Sequence, residues 1–530
     1  MRSWTSDRNK ELILLFLASF LFIFGCVWVY KFIIDDAYIS LRYARNLVNY
    51  GALSFNPGDA PIEGYTNFLL VLLEALFIKM GVQAVDNIPK VIGIISGLGS
   101  LVFTYRLSCV LIPTEGLSLR FLPVFAASVS SPLIVWAVGG LETNLYLLFI
   151  LSGVYYFVSN IQTGSNKSAL LSDISFFLAL LCRPDALLLW ALGYIYLLLM
   201  YRRVNWTGRI YSIVMSLVLT AAYFSWKLFY FDDLLPTTFR AKVAPFSLVT
   251  IEGGLRMYRL FAQYGLHLVY LFLLGIAAWK LRKNLFSGLT YIFVLFCGYS
   301  VFLIYIGAPA MGHGLRFFVP IIPLLYIMGT YGLTQLKIVN SDIKLKVCVI
   351  AILYLVQLGA GFYWLERYWN TDFDWPKGNT EVGMKEEAQM IESNRALGRW
   401  AKEVLVPGST VALSDIGAIG YFSDLRIIDT WSIMDRRIIE LRAEQVKYAS
   451  SSKEYEKVNN QIAEYVLELK PDLIRLDFVD FSQSPRAQGF VLIDNPVDKK
   501  RQMFFARRDL LGAITPNDLM LNSVKYIYVR

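Results

Sequence analysis

Long apolar runs restrict the fold of this chain more than any other feature of its sequence. They recur from residue 11 to residue 365, with only short polar segments between them. A helix of about 20 apolar residues crosses the hydrocarbon core of a bilayer, and such a helix satisfies its own backbone hydrogen bonds within lipid. The chain is 56% hydrophobic and 17% charged, whereas soluble globular proteins have about 45–50% apolar and about 25% charged residues. The sequence therefore predicts a polytopic α-helical membrane protein.

About eleven transmembrane helices are predicted from these runs. They lie near residues 11–30, 91–111, 121–138, 143–160, 168–182, 186–201, 210–230, 258–279, 285–305, 317–335 and 346–365. The run 67–82 is short and contains Glu74 and Lys79, so we expect it to lie at the membrane interface rather than to cross. The first run follows three basic residues, as a signal peptide would. Because it continues to Tyr30 and many spans follow, we expect a retained helix.

Lysine and arginine occur in alternate loops, and this distribution predicts the orientation of the chain. Basic residues precede the first span and cluster in short loops such as 202–209, 280–283 and 337–346. Because cytoplasmic loops carry an excess of Lys and Arg, we expect a cytoplasmic N-terminus and a periplasmic or extracytoplasmic C-terminal tail, in a bacterial inner membrane. The formal net charge of +9 comes from these separate clusters rather than from a basic stripe, so it does not indicate nucleic-acid binding.

Hydropathy divides the chain into a transmembrane module, residues 1–365, and a soluble domain, residues 366–530, and residues 31–90 form the first external loop of the module. In the soluble domain, amphipathic helices alternate with short apolar strands, which is typical of a small α/β domain. The helices are predicted near 390–404 and 452–469, and the strands near 410–413, 426–429, 472–475, 488–493, 502–506 and 524–529. The domain has no Gly-rich phosphate loop, so no nucleotide site is predicted. The five cysteines lie in or beside apolar runs, so we expect neither a disulfide nor a zinc cluster.

Two adjacent carboxylates, Asp35 and Asp36, follow directly after the first span. Such a pair outside a membrane helix is suited to deprotonating a hydroxyl group or to holding a divalent cation. In the simpler alternative, Asp35 only caps the helix that begins after it. Since a cap needs one Asp rather than two, catalysis or metal binding is the favoured interpretation.

Further unusual polar residues fall on the same predicted side of the membrane as the acidic pair. They are Glu142 after the Gly139-Gly140 turn, Arg183-Pro184-Asp185, the loop from Asp232 to Lys242, and Arg316 after Gly312-His313-Gly314. Each cation also has a structural interpretation. Arg240 and Lys242 would then bind lipid headgroups, and Arg183 would form an ion pair with Asp185.

The string from Asp35 to Phe68, which includes Asn56-Pro57-Gly58 and Glu63-Gly64-Tyr65-Thr66-Asn67, resembles the first external loop of the GT-C superfamily of polyprenyl-phosphate-dependent glycosyltransferases. Within that superfamily, it is most similar to the terminal arabinofuranosyltransferase group. The resemblance extends through Gly140–Thr143, Arg183–Asp185, Asp233–Thr238 with Ala241-Lys242, and parts of the tail. Where relatives often carry Gly-Gly-Asp, this chain has Gly307-Ala308-Pro309, so an acidic group is missing.

The resemblance implies a GT-C fold and an inverting transfer of a sugar from a polyprenyl-phosphate donor to an extracytoplasmic acceptor. Its closest group suggests arabinofuranose as the sugar. The acceptor would be a cell-wall arabinan, lipopolysaccharide or a surface protein such as a pilin. The Ile-, Phe- and Lys-rich composition differs from that of a high-GC actinobacterial protein, and this argues against the arabinan.

The chemistry of this transfer needs one carboxylate base and cationic groups to receive the leaving phosphate. We predict Asp35 as the base, because it has the first-acid position of the superfamily's pair, and Asp36 as its support. The expected donor- and substrate-binding residues are Tyr65, Asn67, Glu142, Arg183, Arg240, Lys242 and Arg316. No cofactor follows from the sequence. If a metal takes part, we expect Mg²⁺, Mn²⁺ or Ca²⁺ held by Asp35 and Asp36.

The rival class is a lipid or solute transporter, such as a flippase of the cell envelope. A transporter would have charged residues deep within its spans and broken helices at the middle of the membrane, whereas here the polar groups cluster on one predicted face. A non-catalytic assembly protein is a third class, and it would leave the paired acids unexplained.

Overall fold

A computed structural model describes most of the chain. The described residues are 2–113, 115–200, 206–238, 248–306, 313–336, 343–370, 373–374, 380–381, 383–431, 433–448, 452–475, 490–493 and 504–507.

The first 370 residues are helical wherever they are described, apart from connecting loops. The helices are α1 (Arg2–Trp28), α2 (Asp36–Tyr50), α3 (Phe68–Lys79), α4 (Asn87–Leu111), α5 (Leu117–Ser128), α6 (Ser131–Val138), α7 (Thr143–Thr163), α8 (Asn166–Cys182), α9 (Ala186–Leu199), α10 (Trp206–Phe231), α11 (Leu248–Gln263), α12 (His267–Leu281), α13 (Gly288–Ile306), the 3₁₀ helix η1 (His313–Ile321), α14 (Ile322–Thr334) and α15 (Ile343–Asn370).

The fold is that of a multi-pass membrane protein, as the apolar runs predict. Among the described residues, seven helices are long and apolar enough to cross a membrane, or up to nine if each of two bent pairs counts as one span. Every predicted span overlaps a helix, but α8 and α9 have only 17 and 14 residues. The count of eleven spans therefore stays a prediction.

Two of the predicted spans are not single helices. The run 258–279 falls on α11 and α12, whose axes differ by 100°, and Gly265 takes the left-handed φ of +55° in the break. The run 121–138 falls on α5 and α6, which are bent by 48°, and Pro132 begins the second helix of that pair. Apolar residues continue through both breaks, so hydropathy does not reveal them. The breaks are marked instead by Gly265 and Pro132, because glycine and proline favour helix ends.

The short apolar run after residue 67 forms α3, a helix of 12 residues. Its length is about 18 Å, much less than the roughly 30 Å of a bilayer core. This agrees with the prediction that the run does not cross the membrane. Helices α2 and α3 both lie in the connection between α1 and α4, residues 29–86, which we call the first loop.

The C-terminal unit, after α15, is an α/β structure around a five-stranded sheet. Its elements are β1 (Phe373–Asp374), β2 (Thr380–Glu381), α16 (Met384–Val404), β3 (Thr410–Leu413), α17 (Gly417–Ser423), β4 (Arg426–Asp429), α18 (Arg436–Tyr448), α19 (Ser452–Glu468), β5 (Leu473–Arg475), β6 (Phe490–Ile493) and β7 (Phe504–Arg507). The strand order is β4-β3-β5-β7-β6. Strand β3 pairs in parallel with β4 and β5, and β7 pairs antiparallel with β5 and β6.

The predicted strands 410–413 and 426–429 coincide with β3 and β4, and the next three overlap β5, β6 and β7. The predicted strand near 524–529 lies outside the described residues. Helix α18 was not predicted, because charged residues are interspersed among its apolar ones along the sequence.

The C-terminal unit packs directly on the first loop. An apolar cluster joins Ile39 and Tyr43 of α2 to Val411, Leu413 and other residues of the sheet. The buried Arg42 guanidinium donates to the carbonyls of Gly420, Phe55 and Leu425. Because the parallel strands β3 and β4 point their carboxyl ends toward the first loop, the turns that follow them meet the residues that precede and form α2.

At this interface, the N-terminus of α17 contacts Asp35. The backbone amides of Gly417 and Ala418 donate to the Asp35 carboxylate at 2.7 and 2.9 Å. A Cβ atom at residue 417 would lie 2.0 Å from the Asp35 carbonyl oxygen. Only glycine therefore fits this contact.

We predict that Gly417→Ala separates α17 from the first loop. The clash is with backbone, which cannot move away cheaply, so the free energy of unfolding should fall by about 1–3 kcal/mol. Thermal unfolding of the purified full chain in detergent measures this change.

Gly275→Ala is the matched control, because a Cβ atom there meets nothing within 4 Å. Within helix α12, alanine should leave stability unchanged or raise it slightly. Equal melting temperatures for Gly417→Ala and the wild type would contradict the proposed tightness of the interface.

Candidate functional site

A cleft lies where the first loop, the membrane helices and the C-terminal unit meet. Asp36 and Ser40 of α2 line it, as do Tyr65 and Asn67 from the segment just before α3. On the membrane side it is lined by Glu142 and Arg316. Thr238 and Ile433 also line it. Five of the residues predicted from the sequence, Asp36, Tyr65, Asn67, Glu142 and Arg316, thus share one cleft.

Glu142 is the centre of the charged end of the cleft. Only 1% of the residue is exposed. Its Oε1 accepts from Arg316 Nη2 at 2.7 Å and lies 3.5 Å from Arg183 Nη1. Burial raises the pKa of this carboxyl, but the two guanidinium groups outweigh burial and hold the pKa below its ordinary value. Glu142 is therefore an ionised group between two cations.

Arg183 is itself held by a second carboxylate. Its Nε and Nη2 donate to the two oxygens of Asp185 at 2.9 and 3.3 Å. Tyr299 donates its hydroxyl to Asp185 at 2.6 Å. The ion pair expected between Arg183 and Asp185 is present, and Arg183 also reaches Glu142. Two carboxylates and two guanidinium groups thus form a cluster with no net charge.

An unusual backbone turn aims Arg316 at Glu142. Gly314 and Leu315 both have left-handed φ values, +60° and +55°, and the Trp136 indole donates to the Gly314 carbonyl at 3.0 Å. A left-handed residue other than glycine carries strain that the surrounding structure must compensate. The buried side chain of Leu315 and the Arg316 ion pair supply this compensation.

The uncharged wall of the cleft is joined to Glu142 by hydrogen bonds. Asn67 Nδ2 lies 3.4 Å from Glu142 Oε2 and 2.9 Å from Ser40 Oγ. Asn67 directly precedes α3, and Ser40 lies in the second turn of α2. This contact therefore fixes both first-loop helices against the start of α7.

Asp35 and Asp36 lie in different surroundings. Both carboxylate oxygens of Asp35 accept backbone amides of α17, and Asp35 is not among the residues that line the cleft. Asp36 is one of them. The prediction that Asp35 is the base does not fit this placement, because its carboxylate is already hydrogen-bonded to the C-terminal unit. The alternative expectation was that Asp35 caps α2, but its side chain makes no cap hydrogen bond to that helix. It accepts the first amides of α17 instead.

The residues expected to hold a divalent cation are not assembled for it. Among the residues that the structure describes, no group of three or more His, Cys, Asp or Glu side chains is placed to hold a metal. The Asp35 carboxylate accepts two amides and Glu142 pairs with guanidinium groups, and Asp36 lines the cleft on a different element from Glu142. This donor set does not fit the predicted cation.

The C-terminal unit forms the roof of the cleft. Asp429, at the end of β4, is 1% exposed, and its carboxylate accepts the backbone amides of Trp431, Ile433 and Met434. The turn after β4 is thereby folded tightly, and Ile433 is brought over the cleft. The Ile433 carbonyl in turn accepts from the Thr237 hydroxyl at 2.6 Å.

Among the cleft residues that were not predicted as site residues are Ser40, Thr238 and Ile433. Ser40 and Thr238 lie within strings that match the resemblance, and their hydroxyl groups were the available signal. Ile433 had no such signal, since an isoleucine after a strand is ordinary. The predicted residues Arg240 and Lys242, and the departure at 307–309, lie outside the described residues.

The cleft has a cavity volume of about 30 Å³. Ligand pockets in proteins usually enclose about 300–1,000 Å³. A sugar would therefore fit only after the roof residue Ile433 moves outward.

Comparisons with solved structures support the fold. ArnT from Cupriavidus metallidurans bound to undecaprenyl phosphate superimposes with a TM-score of 0.62 at 10% identity, over 95% of this chain and 99% of that one. The archaeal oligosaccharyltransferase AglB from Archaeoglobus fulgidus, in complex with an inhibitory peptide and a dolichol-phosphate, superimposes with a TM-score of 0.54 at 11% identity, over 98% and 76% of the two chains. At such low identities the likeness concerns the fold alone.

Two sequence comparisons add little. A family model described as a domain of unknown function, DUF8728, matches residues 382–510, which is most of the C-terminal unit. No curated protein matches the chain.

We predict that Glu142→Gln strongly destabilises the protein. The substitution keeps the size of the side chain but leaves the buried Arg183 and Arg316 with one carboxylate fewer. Breaking a buried pair in this way costs about 3–5 kcal/mol. The measurement is chemical or thermal unfolding of the full chain in detergent.

Glu74→Gln is the matched control. Glu74 is also fully buried, and burial raises its pKa well above the ordinary value, with a further contribution from Glu142. The side chain is therefore already neutral, and glutamine should change stability little. Equal losses for the two variants would contradict the ion-cluster assignment.

We also predict a pH-dependent contribution from Asp35. Burial and the neighbouring Asp415 carboxylate raise the pKa of Asp35 to about 7, although the two amide hydrogen bonds lower it. An acid with a raised pKa in the folded state favours folding when protonated. Its contribution is full below about pH 4 and is lost as the pH rises through about 7. The melting temperature of the wild type relative to Asp35→Asn should therefore fall from pH 5 to pH 8, and a difference that is constant with pH would contradict this assignment.

Proposed function

We propose that this protein is a membrane glycosyltransferase that moves a sugar from a polyprenyl-phosphate donor to a hydroxyl group on an extracytoplasmic acceptor, with Asp36 as the general base. The observation that carries this proposal is the cleft itself, where the Asp36 carboxylate and the buried Arg316–Glu142 pair lie on the same walls. The fold supports it, because ArnT was solved with undecaprenyl phosphate and AglB with a dolichol-phosphate.

The reaction is a single displacement at C1 of the sugar. The acceptor oxygen attacks C1, the bond from C1 to the phosphate oxygen breaks, and the polyprenyl phosphate leaves with the electron pair. Asp36 takes the proton of the acceptor hydroxyl group. A single displacement inverts the configuration at C1, as the sequence resemblance implies.

Arg316 is the best-placed cation for the leaving phosphate. Its Nε bonds the Thr143 hydroxyl at 3.3 Å and its Nη2 bonds Glu142. A guanidinium group has five N–H donors, and among the described residues Nη1 of Arg316 makes no hydrogen bond. Donors that are already aligned in a desolvated site stabilise developing charge without reorganisation.

Arg183 supports Arg316 rather than touching the donor. It is paired with Asp185 and Glu142, and it is not among the cleft-lining residues. Its positive charge behind Glu142 allows Arg316 to exchange part of its pairing with Glu142 for the phosphate. Tyr65 and Asn67 remain proposed substrate-binding residues, and Arg240 and Lys242 remain proposed phosphate ligands on sequence grounds alone.

The finer identity of the reaction follows from the resemblance. We propose arabinofuranose as the sugar and an envelope glycan or surface protein as the acceptor. The distribution of Lys and Arg in the loops supports a bacterial inner membrane, with the cleft and the C-terminal unit on the outer side.

Two observations favour the transporter as the second candidate. Helices α11 and α12 form a sharply broken pair, and a buried ion pair, Asp173–Arg209, lies between α8 and α10 at 3.6 Å. Both are features of transporters. The likeness to ArnT and AglB over nearly the whole chain makes the glycosyltransferase the better proposal. Reconstituted vesicles discriminate the two, since a transporter moves labelled lipid between leaflets without forming a glycan.

We predict that Asp36→Asn lowers sugar transfer by at least about 100-fold, because general-base catalysis contributes about 10²–10⁴-fold. Asp35→Asn should lower stability but retain most of the transfer per folded molecule. The assay follows glycan formation from polyprenyl-phosphate arabinofuranose and related lipid-linked sugars in membranes that contain equal amounts of each variant.

Asp59→Asn is the control in the same loop. Asp59 lies at the exposed surface, where its carboxylate pairs with Arg426 and accepts from the Asn56 side chain, so transfer should be unchanged. If Asp36→Asn is fully active while Asp35→Asn is inactive, then the base is Asp35 and the assignment to Asp36 is wrong.

A further inference from the structure

Two hydroxyl groups at the cleft have no hydrogen-bond partner among the residues that the structure describes. Tyr65 and Thr238 are 4% and 5% exposed, and both line the cleft. Neither the Tyr65 hydroxyl nor Thr238 Oγ1 makes a hydrogen bond to any residue that the structure describes. Since most buried hydroxyl groups in proteins are hydrogen-bonded, two unpaired ones in a single cleft require an explanation.

The neighbouring hydroxyl groups are paired, so the region does not lack acceptors. The Thr237 hydroxyl donates to the Ile433 carbonyl at 2.6 Å, and its oxygen lies 3.0 Å from the Glu63 carbonyl. The Tyr43 hydroxyl donates to the Ile62 carbonyl at 2.5 Å. Within the same few residues, the hydroxyl groups that connect backbone segments are satisfied, whereas the two at the cleft are not.

Both unpaired groups are rigidly held. The Tyr65 ring packs edge-on against Tyr43, with 4.7 Å between ring centroids, and also contacts Phe231. The segments that carry the two hydroxyl groups are joined through Glu63, whose carbonyl accepts from Thr237 and whose carboxylate pairs with Lys227 Nζ at 2.7 Å. A group fixed in advance loses little entropy when it binds a ligand.

The chemistry of the two groups suggests the ligand. A hydroxyl group is neutral and both donates and accepts, so it suits the hydroxyl groups of a sugar better than it suits a phosphate. The phosphate is matched instead by the guanidinium group of Arg316, which lines the same cleft. The cleft therefore offers both a charged donor and neutral hydroxyl groups.

We propose that Tyr65 and Thr238 form a subsite for the sugar hydroxyl groups of the lipid-linked donor. This inference rests on the proposed function and deepens it. The subsite would make the enzyme sensitive to the hydroxyl groups of the sugar, because an analogue that lacks one leaves a buried protein hydroxyl group unpaired.

The test compares binding of two lipids to the full chain in detergent: undecaprenyl phosphate without a sugar, and undecaprenyl phosphate carrying arabinofuranose or one of a panel of other pentoses and hexoses. Tyr65→Phe and Thr238→Val remove only the hydroxyl groups. Each should weaken binding of the preferred sugar lipid by about 10-fold, the effect of one hydrogen bond, and leave binding of the bare lipid unchanged. Thr238→Ser keeps a hydroxyl group and should restore most of the affinity.

Stability provides a second readout. Because neither hydroxyl group is paired within the described structure, Tyr65→Phe and Thr238→Val should leave the melting temperature unchanged or raise it. Thr237→Val removes a paired hydroxyl group and should lower it. Tyr291→Phe removes another buried hydroxyl group that has no partner among the described residues. Tyr291 lies in the first turn of α13 and does not line the cleft, so this variant should change neither stability nor binding.

Each contrary outcome overturns a defined part of the inference. Equal weakening for the bare and sugar-carrying lipids would show that the hydroxyl groups contact phosphate. A raised KM for the acceptor with unchanged donor binding would assign the subsite to the acceptor instead. A lowered melting temperature with unchanged binding would make both hydroxyl groups structural. If the wild type binds no polyprenyl lipid while remaining folded, the proposed function itself fails.

Discussion

The cleft depends on one carboxylate buried between two guanidinium groups. Glu142 joins the start of α7 to Arg316 on η1 and to Arg183 between α8 and α9. Buried charges are tolerated only when they are paired with good geometry, so the three segments cannot move apart independently. The same constraint makes the site chemically useful. A cation held by a neighbouring carboxylate can transfer part of that interaction to an incoming phosphate without reorganising the surrounding protein.

Two further carboxylates bring the C-terminal unit onto the membrane helices. Asp35 accepts the first amides of α17, and Asp429 accepts three amides of the turn after β4. The first interaction attaches the unit beside Asp36, the proposed base, and the second brings Ile433 over the cleft. The C-terminal unit therefore does more than extend from the membrane, since it completes the site. Any ligand the size of a sugar must displace part of that roof, and the affinity of the site is consequently coupled to the docking of the unit.

Much of the fold could be predicted from the sequence, because hydropathy and periodicity act locally. The apolar runs marked the membrane helices, and β3 and β4 were located to the residue. The bends between α5 and α6 and between α11 and α12 were missed, since apolar residues continue through them. In the site, the sequence pointed to the acidic pair but favoured Asp35. The side-chain directions of two adjacent residues depend on what packs beside them, and here that is α17, 382 residues away along the chain.

The sequence by itself determined that this chain is a multi-pass membrane protein with a small α/β unit, and that its unusual polar residues belong together. Each of these conclusions follows from hydropathy and charge, which are properties of a residue wherever it lies in the fold. Only the tertiary structure decided which polar groups face the cleft and which instead join the segments around it through ion pairs and hydrogen bonds. It also decided which hydroxyl groups have no partner among the described residues. Those distinctions arise from hydrogen bonds between segments far apart in sequence, and such bonds have no local signature.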